Sequence, residues 1–204
     1  MDTLLLASSS PRRKDLLALL GIPFITIHPE IDESVFDHFP PDRRVVALAE
    51  RKADQGRRLY RDSSPPAAGP KFILAADTLV ALPSAEGWEV IGKPESADQA
   101  ADMLARLQGR TQEVYTGICV ESLASGARHL SLSRSFVTFA PMGGKEIRTY
   151  VETGEWKGAA GAYRIQGWGS CYIESVEGSP SGVMGLPLRE LYGILSDAGF
   201  DFGS

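Results

Sequence analysis

The sequence predicts an α/β protein with a mixed β-sheet flanked by helices, and three observations carry this. The chain opens β-α-β, with apolar strand-like runs at Thr3 to Ala7 and Phe24 to Ile27 on either side of a helical stretch. Amphipathic helical segments then alternate with β-rich ones along its length. Two long β-rich runs, Glu113 to Leu123 and Leu130 to Phe139, follow each other closely enough to pair as a hairpin, so the sheet is not wholly parallel. With 204 residues, 43% of them hydrophobic and 23% charged, one domain spanning 1–204 can bury a sizeable core.

In order along the chain, "LLLASSSPRRKDLLALLG" at 4–21 reads as a buried strand running straight into a helix. Ser10 stands at the cap position, Pro11 in the first helical position, and Gly21 past the end. Pro29 to Pro41 carries Glu30, Asp32, Glu33 and Asp37 without periodicity and reads as an acidic loop. A long helix is expected from Asp42 to about Tyr60, then a breaker-rich loop, "RDSSPPAAGP", at 61–70. "KFILAADTLVAL" is the most apolar strand candidate, interrupted by the polar pair Asp77-Thr78. A strand at "WEVI", a helix from about Ser96 to Leu107 and the hairpin runs follow. A helix near Lys145 to Glu152, a glycine-rich segment, a strand "CYIESV" and a helix from about Leu188 to Ala198 complete the chain.

Several function classes are disfavoured. A net charge of −5 speaks against a general polyanion binder, although basic pairs occur at Arg43-Arg44, Arg51-Lys52 and Arg57-Arg58. Cys119 and Cys171 lack metal-finger spacing and are expected to be small core residues in a reducing compartment. The opening LLLA is too short for a secretion signal and follows Asp2 where a basic segment is required; no apolar run reaches the ~20 residues of a membrane span. A cytoplasmic location is expected. "GWEVIGKP" matches GxxxxGK, but its middle looks like a strand, and Pro94 offers neither hydroxyl nor N–H, so it is not a Walker loop. His28, His38 and His129 show no metal spacing, and no GxSxG elbow is present.

The chemistry concentrates elsewhere. A helix start carries partial positive charge, so Arg12, Arg13 and Lys14 in its first turn are each unfavourable there by roughly 0.3–1 kcal/mol unless an anion joins them. "ASSSPRR" gathers backbone N–H groups, the Ser8, Ser9 and Ser10 hydroxyls and two guanidiniums, all suited to phosphate oxygens. The alternative is a capped helix whose arginines point into water. Asp77 follows FILAA and must either lie in a turn or be buried against a metal, a base or a donor. Glu30, Asp32 and Glu33 offer hard oxygen ligands of the kind magnesium or manganese selects. Lys52 and Lys93 ("IGKPE") are further cations for phosphates, should they meet the arginines at one cleft.

With these residues in place, the chain resembles the Maf family of nucleoside triphosphate pyrophosphatases. The resemblance rests on "LASSSPRRKDLL" at 6–17, "IDE" at 31–33, "LAERKA" at 48–53, "AADTLV" at 75–80, "GKP" at 92–94, "AGAYRIQG" at 160–167 and "VMGLPL" at 183–188. It implies two lobes around a deep cleft, dimers as a frequent state, and a divalent metal, magnesium or manganese. The implied reaction splits a nucleoside triphosphate between its α and β phosphates. Asp77 matches the family's proton acceptor, Glu33 an acidic residue tied to metal and catalysis, and Ser8, Arg13, Lys52 and Lys93 phosphate-contacting positions. The implied metal ligands are Glu33 and Asp77.

Three base-selecting places hold Arg12, Thr78 and Gln166, the pattern of the branch acting on dTTP and UTP; a branch acting on 7-methyl-GTP has Trp, Gln and Glu instead. Gln166 both donates and accepts, as a uracil or thymine edge requires. Many members carry Lys where this chain has Ala159, so either Lys157 replaces that contact or one anion contact is lost. Two other readings stand beside hydrolysis of dTTP and UTP. One is the same bond cleaved in modified nucleotides, 7-methyl-GTP or 5-methylated pyrimidines; the other is a non-catalytic nucleotide-binding regulator of cell division. No membrane or nucleic-acid partner is expected.

Overall fold

Leu4–Ala7 forms β1, buried along its whole length, as an apolar run without alternation requires. The computed structural model describes residues 1–64, 69–85 and 87–203. From β1 the chain turns through Ser8–Ser10 into α1 (Pro11–Leu19) and returns as β2 (Phe24–Ile27), parallel to β1. Gly21, at φ +66°, ends the helix in the left-handed conformation that glycine adopts without strain. The Ser10 side chain makes no cap; Ser8 Oγ instead accepts from Ser10 N at 3.1 Å.

A single 3₁₀ turn (Ser34–Phe36) interrupts the acidic loop before α2 (Pro41–Asp62), two residues longer than its sequence expectation at the C-terminus. The expected loop at 61–70 therefore begins late, and its residues 65–68 lie outside the described residues. Next come β3 (Phe72–Ser84), β4 (Gly87–Ile91), α3 (Ala97–Leu107, capped by Ser96), β5 (Thr111–Ser122), β6 (Arg128–Phe139) and α4 (Gly144–Glu152). β7 (Ile173–Glu177) begins two residues into "CYIESV", because Cys171 and Tyr172 belong to a 3₁₀ turn. Cys171 is exposed, which corrects its assignment to the core; Cys119 is buried as expected. A short helix absent from the sequence reading, α5 (Pro180–Met184), precedes α6 (Leu188–Asp197).

The seven strands form one sheet ordered β2-β1-β3-β5-β6-β7, with β4 also on β3. β1 pairs in parallel with β2 and β3, and every other pairing is antiparallel, so the sheet is mixed. One edge of β3 is shared: β1 covers Phe72 to Ala75 and β4 covers Val80 to Ser84. Among the described residues no strand pairs with Ala76 to Leu79 on that side, and Asp77-Thr78 sits in the opening.

The same opening divides two apolar clusters. One gathers Leu4, Leu6, Leu17, Leu74 and Leu191; the other gathers Val80, Ile91, Leu104, Phe139 and Tyr163. These are the two lobes. Helix α2 crosses the opposite face of the sheet, closely enough to need glycine at two points. A Cβ on Gly56 would fall 2.8 Å from Ala7 Cβ, and one on Gly117, directly opposite Asp77 in β5, would fall 2.5 Å from the Val45 carbonyl.

Candidate active site

Asp77 lies inside strand β3 rather than in a turn, and only 6% of it is exposed. Alternation along the strand directs it toward α2, where Lys52 projects one turn beyond the buried Leu48 and Ala49. Lys52 Nζ donates to Asp77 Oδ1 at 2.5 Å and sits 2.7 Å from Glu33 Oε1, so one ammonium bridges both carboxylates. Asp77 Oδ2 is buried with no hydrogen-bond partner. Burial pushes the Asp77 carboxyl above its ordinary range, and the charges of Lys52 and Arg13 only partly oppose this. Burial also acts to raise Glu33, but the hydrogen bond and charge of Lys52, joined by the charges of Lys93 and Arg44, hold Glu33 below the ordinary value.

Thr78, the next residue, points to the other face and meets α1. Arg13 is buried and its guanidinium spans three elements: Nε donates to Gly185 O (2.8 Å), Nη1 to Ser8 Oγ (3.1 Å) and Nη2 to Thr78 Oγ1 (3.2 Å). Thr116 Oγ1 donates to Gly182 O at 2.8 Å and lies 2.9 Å from Thr78 Oγ1. Since the Thr116 proton is committed, Thr78 donates to Thr116, and its hydroxyl retains only acceptor capacity toward the cleft. Arg12 Nε reaches Met184 O at 3.4 Å and Arg12 Nη2 reaches Gly158 O at 3.3 Å. The two arginines at the start of α1 are thus met by carbonyls at the C-terminal end of α5.

Across the opening, Lys93 follows β4 and Gln166 lies on the loop after α4. The nine residues to which the resemblance gives roles, Ser8, Arg12, Arg13, Glu33, Lys52, Asp77, Thr78, Lys93 and Gln166, line a single cleft of about 460 Å³. That volume falls within the common range for small-molecule sites. Ala159 lines it too, buried, and so does Lys157. Glu30 and Asp32 do not line it; Asp32 instead accepts from Ser34 N and Oγ on the surface. The basic pairs on α2 are divided as well, because Lys52 faces the cleft while Arg57 pairs with the buried Glu121.

Sequence reasoning missed Arg164. Its guanidinium lines the cleft, with Nη2 donating to Lys157 O at 2.9 Å. Nothing in "AGAYRIQG" marks the arginine, because its direction is set by contacts from afar. Tyr150 Oη accepts from Arg164 N at 3.1 Å, and Glu155 accepts from Trp168 N at 2.9 Å to hold the far side of the loop.

Among the described residues no group of three or more His, Cys, Asp or Glu side chains could by itself enclose a metal ion. Glu33 and Asp77 are nonetheless brought side by side by Lys52, and Asp77 Oδ2 has no protein partner. One or two carboxylates, completed by water and substrate phosphates, is the donor set magnesium uses, so the residues fit such an ion.

A cleft at the ends of parallel strands, walled by guanidiniums and ammoniums with a carboxylate at its floor, defines an α/β protein built to hold a polyanion beside a buried acid. Residues 3–198 match the family model described as Maf-like protein. The chain belongs to the Maf family. It is 45% identical over 202 residues to a dTTP/UTP pyrophosphatase of Moorella thermoacetica, covering 98% of this chain and 97% of that one. Similar proteins, also named dTTP/UTP pyrophosphatase, occur in Treponema denticola (40% identity; 98% of each chain) and in the 2CP-1 strain of Anaeromyxobacter dehalogenans (43%; 97% and 94%).

Proposed function

We propose that this chain hydrolyses dTTP and UTP to the nucleoside monophosphate and pyrophosphate, clearing surplus or non-standard pyrimidine nucleotides in the cytoplasm. The observation that carries this is Asp77, a buried carboxylate with one unpartnered oxygen on the floor of a cationic cleft. The names of the relatives support the same bond and bases.

Hydrolysis of a phosphoanhydride needs positioning, charge neutralisation and an oriented water, and no covalent nucleophile. Water adds to the α-phosphorus as the bridging P–O bond breaks, and pyrophosphate departs with the bonding electrons. Asp77 orients that water and takes its proton; burial, by raising its basicity, suits it to the task. Lys52, held 2.5 Å from Asp77, keeps the carboxylate aimed and lies ready for a phosphate oxygen. Arg13 and Lys93 offset charge on the tail and the leaving group, while Ser8 braces Arg13 and Arg12 stands with the base-selecting residues. Glu33 and Asp77 are the residues that would hold a magnesium or manganese ion, whose chemistry is neutralisation of the phosphate oxygens. Thr78 and Gln166 line the cleft where the pyrimidine is selected.

Pyrophosphate release from a panel of standard and modified triphosphates, with magnesium or manganese, tests the proposal. Turnover of dTTP and UTP well above ATP and GTP is expected. Preference for purines or 7-methyl-GTP would overturn the base assignment.

A further inference from the structure

Arg12 and Arg164 come from opposite ends of the chain and dock on consecutive carbonyls of one turn, Gly158 O at 3.3 Å and Lys157 O at 2.9 Å. Two like charges are therefore held side by side in the cleft wall. The strain registers on Arg12, whose guanidinium is held below its ordinary value first by burial and then by the charge of Arg164. Among the described residues neither guanidinium has a carboxylate in salt-bridge range. Arg164 Nε is buried without a hydrogen-bond partner.

We propose that Arg164 is a substrate-binding residue that takes a phosphate of the triphosphate tail, beside the base-selecting position Arg12. This rests on the triphosphate reading of the cleft. An anion on Arg164 offsets its repulsion with Arg12 and accepts charge-assisted hydrogen bonds from the guanidinium. Local charge agrees: Arg12, Arg13, Lys52, Lys93, Lys157 and Arg164 face only Glu33 and Asp77 in the cleft. The excess of four positive charges stands in a chain whose net charge is −5. Arg164 and Lys157 supply two of those six cations.

The test uses full-length protein and inorganic tripolyphosphate, whose binding needs neither a base nor turnover. Calorimetry should give a Kd raised roughly tenfold by Arg164→Ala, with most of the affinity kept by Arg164→Lys. Melting temperatures of the three proteins should agree within a few degrees, and the salt dependence of binding should weaken in Arg164→Ala. Unchanged tripolyphosphate affinity in Arg164→Ala would overturn the inference. So would an effect confined to the KM of dTTP with tripolyphosphate unaffected, which would place Arg164 on the base, or a lysine variant as weak as the alanine one with a lowered melting temperature, which would make it structural. Pyrophosphate release from dTTP by the wild-type protein, measured on the same samples, judges the pyrophosphatase reading separately.

Discussion

Lys52 Nζ stands 2.5 Å from Asp77 Oδ1, and the two residues meet because a helix lies unusually close to a strand. Lys52 is on α2 and Asp77 on β3; the approach is permitted by Gly117, paired with Asp77 in β5, and by Gly56 on the helix itself. The ion pair at the cleft floor thus depends on two positions without side chains.

Gly117→Ala should loosen the pair. Its Cβ would press on the Val45 and Val46 backbone at 2.5–2.6 Å, where nothing can rotate away. Overpacking of this kind costs about 1–3 kcal/mol, and pyrophosphate release should fall with it as α2 shifts. Gly193→Ala is the control: no atom lies within 4 Å of its added Cβ, and a helical glycine replaced by alanine gains about 0.5–1 kcal/mol. Denaturant midpoints of the two variants should move in opposite directions.

Asp77→Asn should cut kcat by about 10²–10⁴, the usual contribution of a general base, while leaving the fold intact. The pH dependence of stability has a definite sign. Burial raises the folded-state pKa of Asp77 above the unfolded value near 3.8. The folded protein therefore binds the extra proton more tightly, and stability contributed by the protonated form is full below the unfolded pKa. It is lost as pH rises through the raised folded value. In metal-free buffer, melting scans of the wild type should show this loss between the two values. Asp77→Asn should not, and at neutral pH it should melt no lower than the wild type.

Arg13→Lys should destabilise the protein. A lysine cannot reach Gly185 O, Ser8 Oγ and Thr78 Oγ1 together as the guanidinium does. Losing these charge-assisted bonds in a buried setting costs about 2–3 kcal/mol. Urea unfolding measures the cost; an unchanged midpoint would mean the fork does not brace the turn.

The thiols should behave oppositely. Cys119 is buried in β5, and desolvation pushes its thiol up to about 12, so almost no thiolate is available near neutrality. Cys171 is exposed. A disulfide reagent at pH 8 should modify one thiol per chain in the native state, mapped to Cys171, and two after unfolding.

Much of this was legible in the sequence, and the exceptions have physical causes. The turn at Ser8 to Arg13 and the polar break at Asp77 were visible because each violates a local rule: cations at a helix start, a carboxylate in an apolar strand. The mixed sheet followed from the hairpin spacing of β5 and β6. Ser10 looked like a cap because cap residues are recognised by place, yet Ser8 makes the bond, since the strand end turns its hydroxyl inward. Cys171 is exposed against expectation, because composition does not reveal which side of a 3₁₀ turn faces water. The short helix α5 was missed although Ser179-Pro180 marks its start with a cap and a first-position proline. Arg164 leaves no signal within its own motif, because Tyr150 and Glu155, on α4 and just after it, place its loop.

The most direct measurement of the central claim is a ³¹P spectrum of dTTP and magnesium followed over time with the wild-type protein and with Asp77→Asn. Inorganic pyrophosphate and dTMP should grow together in equal amounts with the wild type and stay near background with the variant. Orthophosphate and dTDP as first products, or equal rates for the two proteins, would contradict it.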